Sequence, residues 1–310
     1  MISKKKVTIE VGDGAAIPRK KDRGIVDAWW LSFIGAIVVI SYLCLAKPEP
    51  YLRILKFVFG EIKSTPWETL LSLWDSGVGV TFRVTILSIM VALVLGLITG
   101  LGRLSRNRLI NLIASTYVEV VRGIPLLVQL FYLYFALGHV FRNLPSLEEA
   151  QVLFAAWPGF VTYLLSHGCD ELKNMSPLVS AVSAMGICYG AYMGEVFRAG
   201  IESIDKGQTE ASRSLGFTRA QTMFMVILPQ AWRTILPPVG NEFIALLKDS
   251  SLVSILAVAD ILRRGREFAS ESFYYFEAYT MVALVYLVIT LVLSKAVGSM
   301  EQRLNFYDRD

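Results

Sequence analysis

Long stretches without a charged side chain constrain this sequence more than any of its other features. Five such stretches, each bounded by charged residues, run for 17 to 21 residues. They cover Ala28–Ala46, 84–102, 123–141, 174–194 and 278–294. A helix needs roughly 20 apolar residues to cross a lipid bilayer. Each stretch therefore predicts one transmembrane helix.

A sixth span is predicted at 234–259, although this stretch contains Glu242, Lys248 and Asp249. The residues around these three are apolar, and a charged side chain is tolerated inside a bundle where helices face one another rather than lipid. The sequence thus predicts an all-α polytopic membrane protein with six transmembrane helices.

The uncharged run 150–169 is not predicted to cross the membrane, because a Pro-Gly pair interrupts its middle. Basic residues also favour the cytoplasmic side of a membrane. Six spans place the basic tail 1–27 and the basic segment 198–219 on that side together, with both termini cytoplasmic. We therefore expect 139–173 to form an insert at the outer face. Three arginines depart from the rule and fall on the outer side: Arg263, Arg264 and Arg266.

Composition and charge exclude several other classes of protein. Hydrophobic residues make up 54% of the chain and charged residues 18%, whereas soluble domains carry about 25% charged residues. Most of the net charge of +4 comes from the tail 1–27, which suits a membrane surface and its lipid better than nucleic acid. Three scattered cysteines and two histidines predict neither a disulfide framework nor a metal site.

A polar loop at 200–229 separates the fourth and fifth predicted spans. Thr209 is expected to cap a short helix that starts at Glu210 and ends at Gly216, since threonine is a good N-cap and glycine a good helix terminator. Thr218 is expected to cap the next helix. Two short capped helices in one loop are typical of a docking element rather than a plain connector.

This loop resembles the EAA loop of ABC importer permeases, the membrane subunits of type I ATP-binding-cassette importers. The residues that carry the resemblance are Glu210, Ala211, Ser212, Gly216, Leu228 and Pro229. Serine stands at 212 where the family usually has alanine, and Val226 stands where isoleucine is usual. The resemblance implies a coupling helix that inserts into a groove on an ATPase subunit.

Three further stretches resemble the polar amino acid subfamily, which includes histidine and glutamine permeases: 117–129, 195–201 and 241–252. The resemblance covers roughly 78–138 and 174–305. It implies a permease domain at 78–305 with a core of five spans, to which this chain adds the N-terminal span 28–46. The segment 47–77 is then a periplasmic or interfacial linker, and 306–310 a short C-terminal tail.

The same resemblance implies the partners and the location of the chain. The partners are a pair of ABC ATPase subunits, a second permease copy or a paralogue, and a periplasmic amino-acid-binding protein that delivers the substrate. The location is the bacterial inner membrane. The sequence contains no phosphate-binding loop of the type G-x-x-x-x-G-K-[ST]. We therefore expect no cofactor on this chain and no enzymatic activity, with ATP bound and hydrolysed by a partner.

The charged residues of the predicted span 234–259, together with the serines that follow them, are candidates for a substrate pathway, because a charge in the middle of a membrane helix is costly unless it is paired or faces water. The candidates are Glu242, Lys248, Asp249, Ser250 and Ser251. Carboxylates could bind the ammonium group of an amino acid, and Lys248 its carboxylate. An internal salt bridge between Lys248 and Asp249, or a salt bridge from one helix to another, that only packs the bundle explains the pair equally well.

A second candidate group lies where the third predicted span begins, and it could act as a gating hinge: Glu119, Arg122, Gly123 and Pro125. A plain span start, with proline in its first turn, explains these residues as well. Glu195 and Arg198 are predicted to form an ion pair at a helix end. Two other classes of protein compete with an importer, namely an ATP-independent, proton-coupled secondary carrier and a membrane scaffold. The EAA-like loop favours the importer.

Overall fold

The computed structural model of the chain describes residues 24–60, 65–137 and 176–306. Every regular element within these ranges is a helix. The predicted outer-face insert 139–173, most of the tail 1–27 and the last four residues of the chain lie outside the described residues.

The helices of the first half of the chain are α1 (Gly24–Ala46), α2 (Pro48–Phe59), α3 (Pro66–Trp74), α4 (Gly77–Arg103), α5 (Arg108–Gly123) and α6 (Leu126–Phe131), which continues as a π-helical turn at Tyr132–Leu137. The helices of the second half are α7 (Pro177–Glu202), α8 (Lys206–Ser214), α9 (Arg219–Gln221), α10 (Leu228–Asp249), α11 (Ile261–Ser272) and α12 (Tyr275–Phe306). A π-helical turn at Thr222–Ile227 joins α9 to α10, and a 3₁₀-helix at Ser250–Leu256 follows α10.

The spine of the fold is the pair α4 and α7, which make the most extensive contact between any two described helices. Glycines spaced four residues apart allow this contact, because small residues let membrane helices approach closely. A Cβ added to Gly100 would lie 2.8 Å from the Cβ of Phe197, and one added to Gly190 would lie 2.8 Å from the Cβ of Leu95. The close approach of the two backbones therefore requires glycine on both helices.

The spine also defines two ends of the bundle. At the start of α4, Gly77 lies against Asp260 and Ile261, which begin α11. At the far end of α4, Arg103 forms an ion pair with Glu195 of α7. A helix of this length spans about 40 Å at a rise of 1.5 Å per residue. We refer to these two places as the Gly77 end and the Arg103 end.

Three described helices are long and apolar enough to cross a membrane, namely α1, α4 and α12. They contain the predicted spans 28–46, 84–102 and 278–294. The bent pair α5 and α6 would provide a fourth span if it crosses as one unit. The chain is thus an all-helical protein with several apolar helices, and the total of six spans stays a prediction.

Two predicted spans differ in shape from a single helix. The stretch 123–141 begins at the end of α5, and the chain then bends by 102° into α6. Pro125 causes the break, since it lacks an N–H group and holds Ile124 in an extended conformation. The stretch 234–259 is helical only to Leu256, because Ala257 takes a left-handed conformation with φ of 61°.

The range predicted as a linker, 47–77, contains the two helices α2 and α3. One face of α2 is fully buried against α11 and α12, through Tyr51, Ile54 and Val58. Lys47 adds an ion pair to Glu277 at 3.1 Å. This segment therefore forms part of a second apolar cluster, next to the main core around α4 and α7.

Candidate functional site

The short helix α8 in the predicted coupling loop begins earlier than Thr209, the N-cap predicted from the sequence. Asp205 is the N-cap, and its Oδ1 accepts a hydrogen bond from the N–H of Gly207 at 2.5 Å. A carboxylate at this position satisfies a free N–H group and interacts well with the helix dipole. The prediction of Thr209 as the cap was wrong, and Glu210 and Ala211 lie in the exposed middle of α8.

Ser212 forms a hydrogen bond between α8 and the helical segment that leads into α10. It is buried, with 5% of its surface exposed, and its hydroxyl lies 3.1 Å from the Oγ1 atom of Thr222. Thr222 belongs to the π-helical turn that leads into α10. Serine at this position therefore makes a contact that alanine could not make.

The turn after α8 has the geometry that the sequence predicts. Gly216 has φ of +87°, a left-handed conformation that glycine adopts at little cost. The N–H of Phe217 donates to the carbonyl of Ser212 at 3.2 Å, which closes the helix end. A Cβ at Gly216 would meet no atom within 4 Å. Leu215, directly before the turn, is 78% exposed and forms the apolar tip of the loop.

Thr218 caps α9 as predicted, through a reciprocal capping box with Gln221. From there the chain stays helical through α9, the π-helical turn and α10 as far as Asp249. Leu228 packs against the main core, and Pro229 follows the π-helical turn at the start of α10. One continuous helical rod therefore joins the coupling loop to the candidate substrate residues.

The carboxylate of Asp249 accepts a hydrogen bond from a residue that the sequence analysis did not identify. The hydroxyl of Tyr189 on α7 donates to Oδ2 of Asp249 at 2.9 Å. Lys248 is exposed, and within the described residues it forms no salt bridge with Asp249. Neighbouring positions on a helix point in different directions, so the internal Lys248–Asp249 pair considered from the sequence is wrong. A tyrosine inside the uncharged run 174–194 was the available signal, because a buried hydroxyl needs a partner.

The other candidates of this helix differ in exposure. Glu242, two turns before Asp249 on the same face, is half-buried. Ser250 is buried, and its hydroxyl donates to the carbonyl of Leu247 at 2.7 Å, whereas Ser251 is half-buried. Two carboxylates thus lie on one face of α10, and Asp249 is joined to the glycine-rich part of α7 through Tyr189.

The break between α5 and α6 is held together by Gln129. Pro125 cannot donate to the carbonyl of Val121, and the side-chain amide of Gln129 donates to that oxygen instead, at 2.7 Å. The same amide donates to the carbonyl of Ile124 at 2.8 Å. One side chain, which the sequence analysis had not singled out, therefore donates to two carbonyls at the bend, and the carbonyl of Val121 also accepts from the N–H of Ile124 at 3.4 Å.

The predicted hinge residues around this break have different surroundings. Glu119 and Gly123 are exposed, and a Cβ at Gly123 would meet no atom within 4 Å. Arg122 stacks on the ring of Tyr192, with 5.1 Å between its guanidinium carbon and the ring centre. Packing therefore does not require glycine at 123, and the bend itself is explained by Pro125.

Glu195 is the centre of a charged cluster at the Arg103 end. The predicted ion pair with Arg198 is confirmed at 3.0 Å, and Oε1 also accepts from Arg103 and, at 3.4 Å, from Arg122. Burial alone would raise the pKa of this carboxyl, which lies one residue beyond the uncharged run 174–194. The hydrogen bonds and charges of Arg103 and Arg198 outweigh burial and hold its pKa below the usual value. The cluster joins α4, α5 and α7.

Comparison with known proteins places these features in a family. A profile of the family described as "Binding-protein-dependent transport system inner membrane component" matches residues 92–306. The chain is 36% identical over 247 residues to the L-cystine transport system permease protein TcyB of Bacillus subtilis, covering 78% of this chain and 92% of the relative. It is 34% identical over 228 residues to the glutamine transport system permease protein GlnP of Escherichia coli, covering 74% and 91%.

Solved structures agree with the fold. The crystal structure of an amino acid ABC transporter with histidines aligns with a TM-score of 0.60 and 36% identity, covering 78% of this chain and 99% of that one. The MetNI methionine ABC transporter in an inward-facing conformation aligns with a TM-score of 0.54 at 17% identity, which supports the similarity of fold alone.

Proposed function

This chain belongs to the family of inner membrane components of binding-protein-dependent transport systems, and from that premise we propose that it forms one transmembrane half of an ATP-driven importer for a polar amino acid. It is a multi-pass permease subunit and not an enzyme, because the ATPase of such a transporter is a separate subunit. The relatives named for L-cystine and glutamine support an amino acid as the substrate. None of them favours the proton-coupled secondary carrier.

The observation that carries the proposal is the shape of the loop around α8. A short helix with a fixed N-cap ends in a left-handed glycine, and the apolar tip at Leu215 extends away from the bundle. An exposed leucine at a rigid turn is well suited to a groove on a partner protein. We infer that this tip seats in the ATPase subunit at the cytoplasmic face, with Glu210, Ala211 and Gly216 shaping the contact.

The contacts of Ser212 and Gln208 suggest how a movement of the ATPase would be transmitted from α8 to α10, which carries the candidate substrate residues. Ser212 bonds to Thr222, and Gln208 of α8 contacts Gln230 of α10 at 3.3 Å. Displacement of α8 would therefore carry the rod α9–α10 with it. From Arg219 to Asp249 this helical segment has a path of about 45 Å at 1.5 Å per residue, interrupted by the π-helical turn and by Pro237 and Pro238. Closure of the two ATPases on ATP would in this way alter the surroundings of Asp249.

The substrate is expected to meet this chain at the face of α10 that carries Glu242 and Asp249. Their carboxylates would bind the ammonium group of an amino acid, and Tyr189 would orient Asp249 for that task. Lys248 is exposed on the single chain, so it is available for a substrate carboxylate in an assembled pathway. The bend held by Gln129 would serve as the hinge beside this pathway.

One chain supplies only one side of such a pathway, so a second permease copy or a paralogue is needed. Apolar side chains on α5 are exposed in the single chain, among them Leu109, Leu112 and Ile113. A second copy or membrane lipid would cover them. The binding protein would dock at the Gly77 end, opposite the coupling loop, with both termini of the chain on the cytoplasmic side.

The decisive experiment is uptake by proteoliposomes that contain the affinity-purified complex. We expect a Walker-motif ATPase to co-purify with the chain, and uptake of a labelled polar amino acid to require ATP together with loaded binding protein. Addition of a protonophore should leave this uptake unchanged. Uptake driven by a proton gradient without ATP would contradict the importer and establish a secondary carrier.

A further inference from the structure

A cavity of about 490 Å³ lies under α8, between the coupling loop and the Arg103 end of the bundle. Four basic side chains line it, and we call it the basic cavity: Arg106, Lys206, Arg213 and Arg219. They come from three separate parts of the chain, namely the loop after α4, the helix α8 and the start of α9. The fold therefore gathers these four cations around one space.

No counter-charge for these cations is present within the described ranges. None of the four side chains forms an ion pair or a side-chain hydrogen bond there, whereas Arg103, Arg122 and Arg198 nearby are all bound to Glu195. The one carboxylate in the lining, Glu202, already accepts from Arg198 at 2.6 Å. Like charges gathered around a concave surface repel one another and raise the local concentration of anions.

Apart from Glu202, Thr209 and Thr222, the remaining side chains of the lining are apolar, and this indicates which class of anion would fit. Five apolar side chains take part: Leu104, Ile201, Ile204, Met223 and Ile227. Ile201 and Ile227 are buried, with 7% and 5% of their surfaces exposed. A small inorganic anion would gain nothing from such a surface, whereas an amphiphile would cover it with its glycerol and upper acyl carbons.

The depth of the cavity agrees with a lipid headgroup. The uncharged run of α4 ends at Gly102, and Arg106 follows four residues later. The helix α4 ends at Arg103, and Arg106 lies in the turn that follows it. The headgroup layer adds about 5–7 Å on each side of the hydrocarbon core, so a turn directly after the helix end lies at the level of the lipid headgroups. Anionic lipids of the cytoplasmic leaflet bind to basic pockets between membrane helices at this level.

We propose that the basic cavity binds the phosphate group of an anionic phospholipid. The four cations surround the phosphate, and the apolar part of the lining contacts the glycerol backbone. Bound there, the lipid bridges α8 and the ends of α4 and α7. The coupling loop would then sense the composition of the membrane independently of the ATPase.

The test measures lipid binding to the full-length chain in mild detergent by native mass spectrometry. The probes are phosphatidylglycerol and phosphatidylcholine with identical acyl chains. We expect the wild-type protein to retain one phosphatidylglycerol in preference to phosphatidylcholine. The double variant Arg106→Gln with Arg219→Gln should bind phosphatidylglycerol about 30-fold more weakly, as the loss of two basic residues at a membrane surface predicts.

The matched control is Arg108→Gln with Arg303→Gln, which removes two exposed arginines that do not line the cavity. This control should keep the preference for phosphatidylglycerol. Equal losses in both double variants, or equal retention of the two lipids by the wild-type protein, would overturn the proposal. If the first double variant fails to fold, the comparison of phosphatidylglycerol with phosphatidylcholine on the wild-type protein still tests the proposal.

The dependence on salt is a further test on the wild-type protein. Raising NaCl from 0.1 to 0.5 M should release phosphatidylglycerol and not phosphatidylcholine, because salt screens the attraction between the cations and the phosphate.

Two further experiments test whether a soluble anion or an acidic surface of a partner protein, rather than a lipid, occupies the basic cavity. Inorganic phosphate and glycerol phosphate are titrated against the lipid-bound chain, and displacement at concentrations similar to those of the lipid would overturn a lipid in favour of a soluble anion. Pull-down of the ATPase by the same variants addresses an acidic partner surface. Loss of ATPase binding with unchanged phosphatidylglycerol binding would assign the cations to the partner and contradict the proposal.

Discussion

At the scale of single residues, the carboxylate of Asp249 is fixed on one side and open on the other. Tyr189 donates to Oδ2, and among the described residues no donor reaches Oδ1. A carboxylate held in this way needs little rearrangement to accept a further donor. The ammonium group of an amino acid is the donor that the proposed function provides.

Tyr189 should contribute to stability through this hydrogen bond, and Lys248 should not. Replacing Tyr189 by Phe removes a hydrogen bond to a charged group, so we expect the free energy of unfolding to fall by about 1.5–3 kcal/mol. Lys248→Met should change it by less than about 0.5 kcal/mol, because the lysine is exposed and unpaired within the described residues. Thermal unfolding in one detergent compares the two variants. A larger loss for Lys248→Met would restore the lysine as the partner of Asp249.

The charge of Asp249 should matter more for transport than for folding. Asp249→Asn keeps an oxygen that can accept from Tyr189 but removes the negative charge, so we expect uptake to fall about 10- to 100-fold at an unchanged level of protein in the membrane. Glu301→Gln is the control, since Glu301 is exposed near the end of α12. Normal uptake by Asp249→Asn would show that Asp249 is not part of the substrate pathway.

At the scale of elements, sequence patterns predicted the end of α8 and the start of α9, but not the start of α8, where Asp205 and not Thr209 is the cap. The left-handed Gly216 and the cap at Thr218 follow from local rules, since a glycine ends a helix and a threonine begins one. Tyr189, Gln129 and Arg103 could not be found in the same way. Tyr189 and Arg103 bond to residues 60 and 92 positions away, and local patterns do not identify such partners even where a buried hydroxyl shows that one is needed. Gln129 bonds to carbonyls only eight and five residues before it, but this bond forms only because the chain bends at Pro125.

Gly216 should be essential for coupling to the ATPase through its backbone conformation. No atom lies within 4 Å of a Cβ there, so a substitution meets strain rather than a collision. Gly216→Val should cost about 1–2 kcal/mol in the turn and abolish stimulation of ATP hydrolysis by loaded binding protein. Gly216→Asn should retain much of it, because asparagine tolerates the left-handed region. ATPase assays on the reconstituted complex measure both.

Gly216→Val should not impair insertion of the chain into the membrane, since the spans satisfy their own backbone hydrogen bonds. Gly298→Val provides the control, because Gly298 is a helical glycine that also has open space around it. Normal stimulation in Gly216→Val would show that the loop is a simple connector.

The bend between α5 and α6 should depend on the side chain of Gln129. Gln129→Met removes the side-chain donor to the carbonyls of Val121 and Ile124, and we expect a loss of about 1–3 kcal/mol in unfolding free energy. Gln302→Met is the matched control at an exposed position of α12. Equal thermal unfolding temperatures of the two variants would contradict a supporting role for Gln129.

At the scale of the whole molecule, the charged cluster explains how the helices are ordered across the membrane. Arg103 follows the second uncharged run, Arg122 precedes the third and Glu195 follows the fourth. Their meeting at one end of the bundle agrees with three consecutive spans that run in alternating directions. The arginines at the opposite end are less of an exception to the positive-inside rule than the sequence suggests. Arg263 and Arg264 both pair with Glu267, at 2.7 and 3.6 Å.

The two ends should therefore differ in their access to a reagent that cannot cross the membrane. Ser214 in α8 and Ser270 in α11 make a matched pair, because both are exposed and each hydroxyl bonds to the carbonyl four residues earlier. In a background without the three native cysteines, each serine is replaced by cysteine in turn. An impermeant thiol reagent added to intact cells should label Ser270→Cys alone, and Ser214→Cys should react only after permeabilisation. Since a single predicted span, 234–259, separates the two positions, labelling of both from outside would mean that α10 does not cross. The six-span topology would then fail, and with it the cytoplasmic position of the coupling loop.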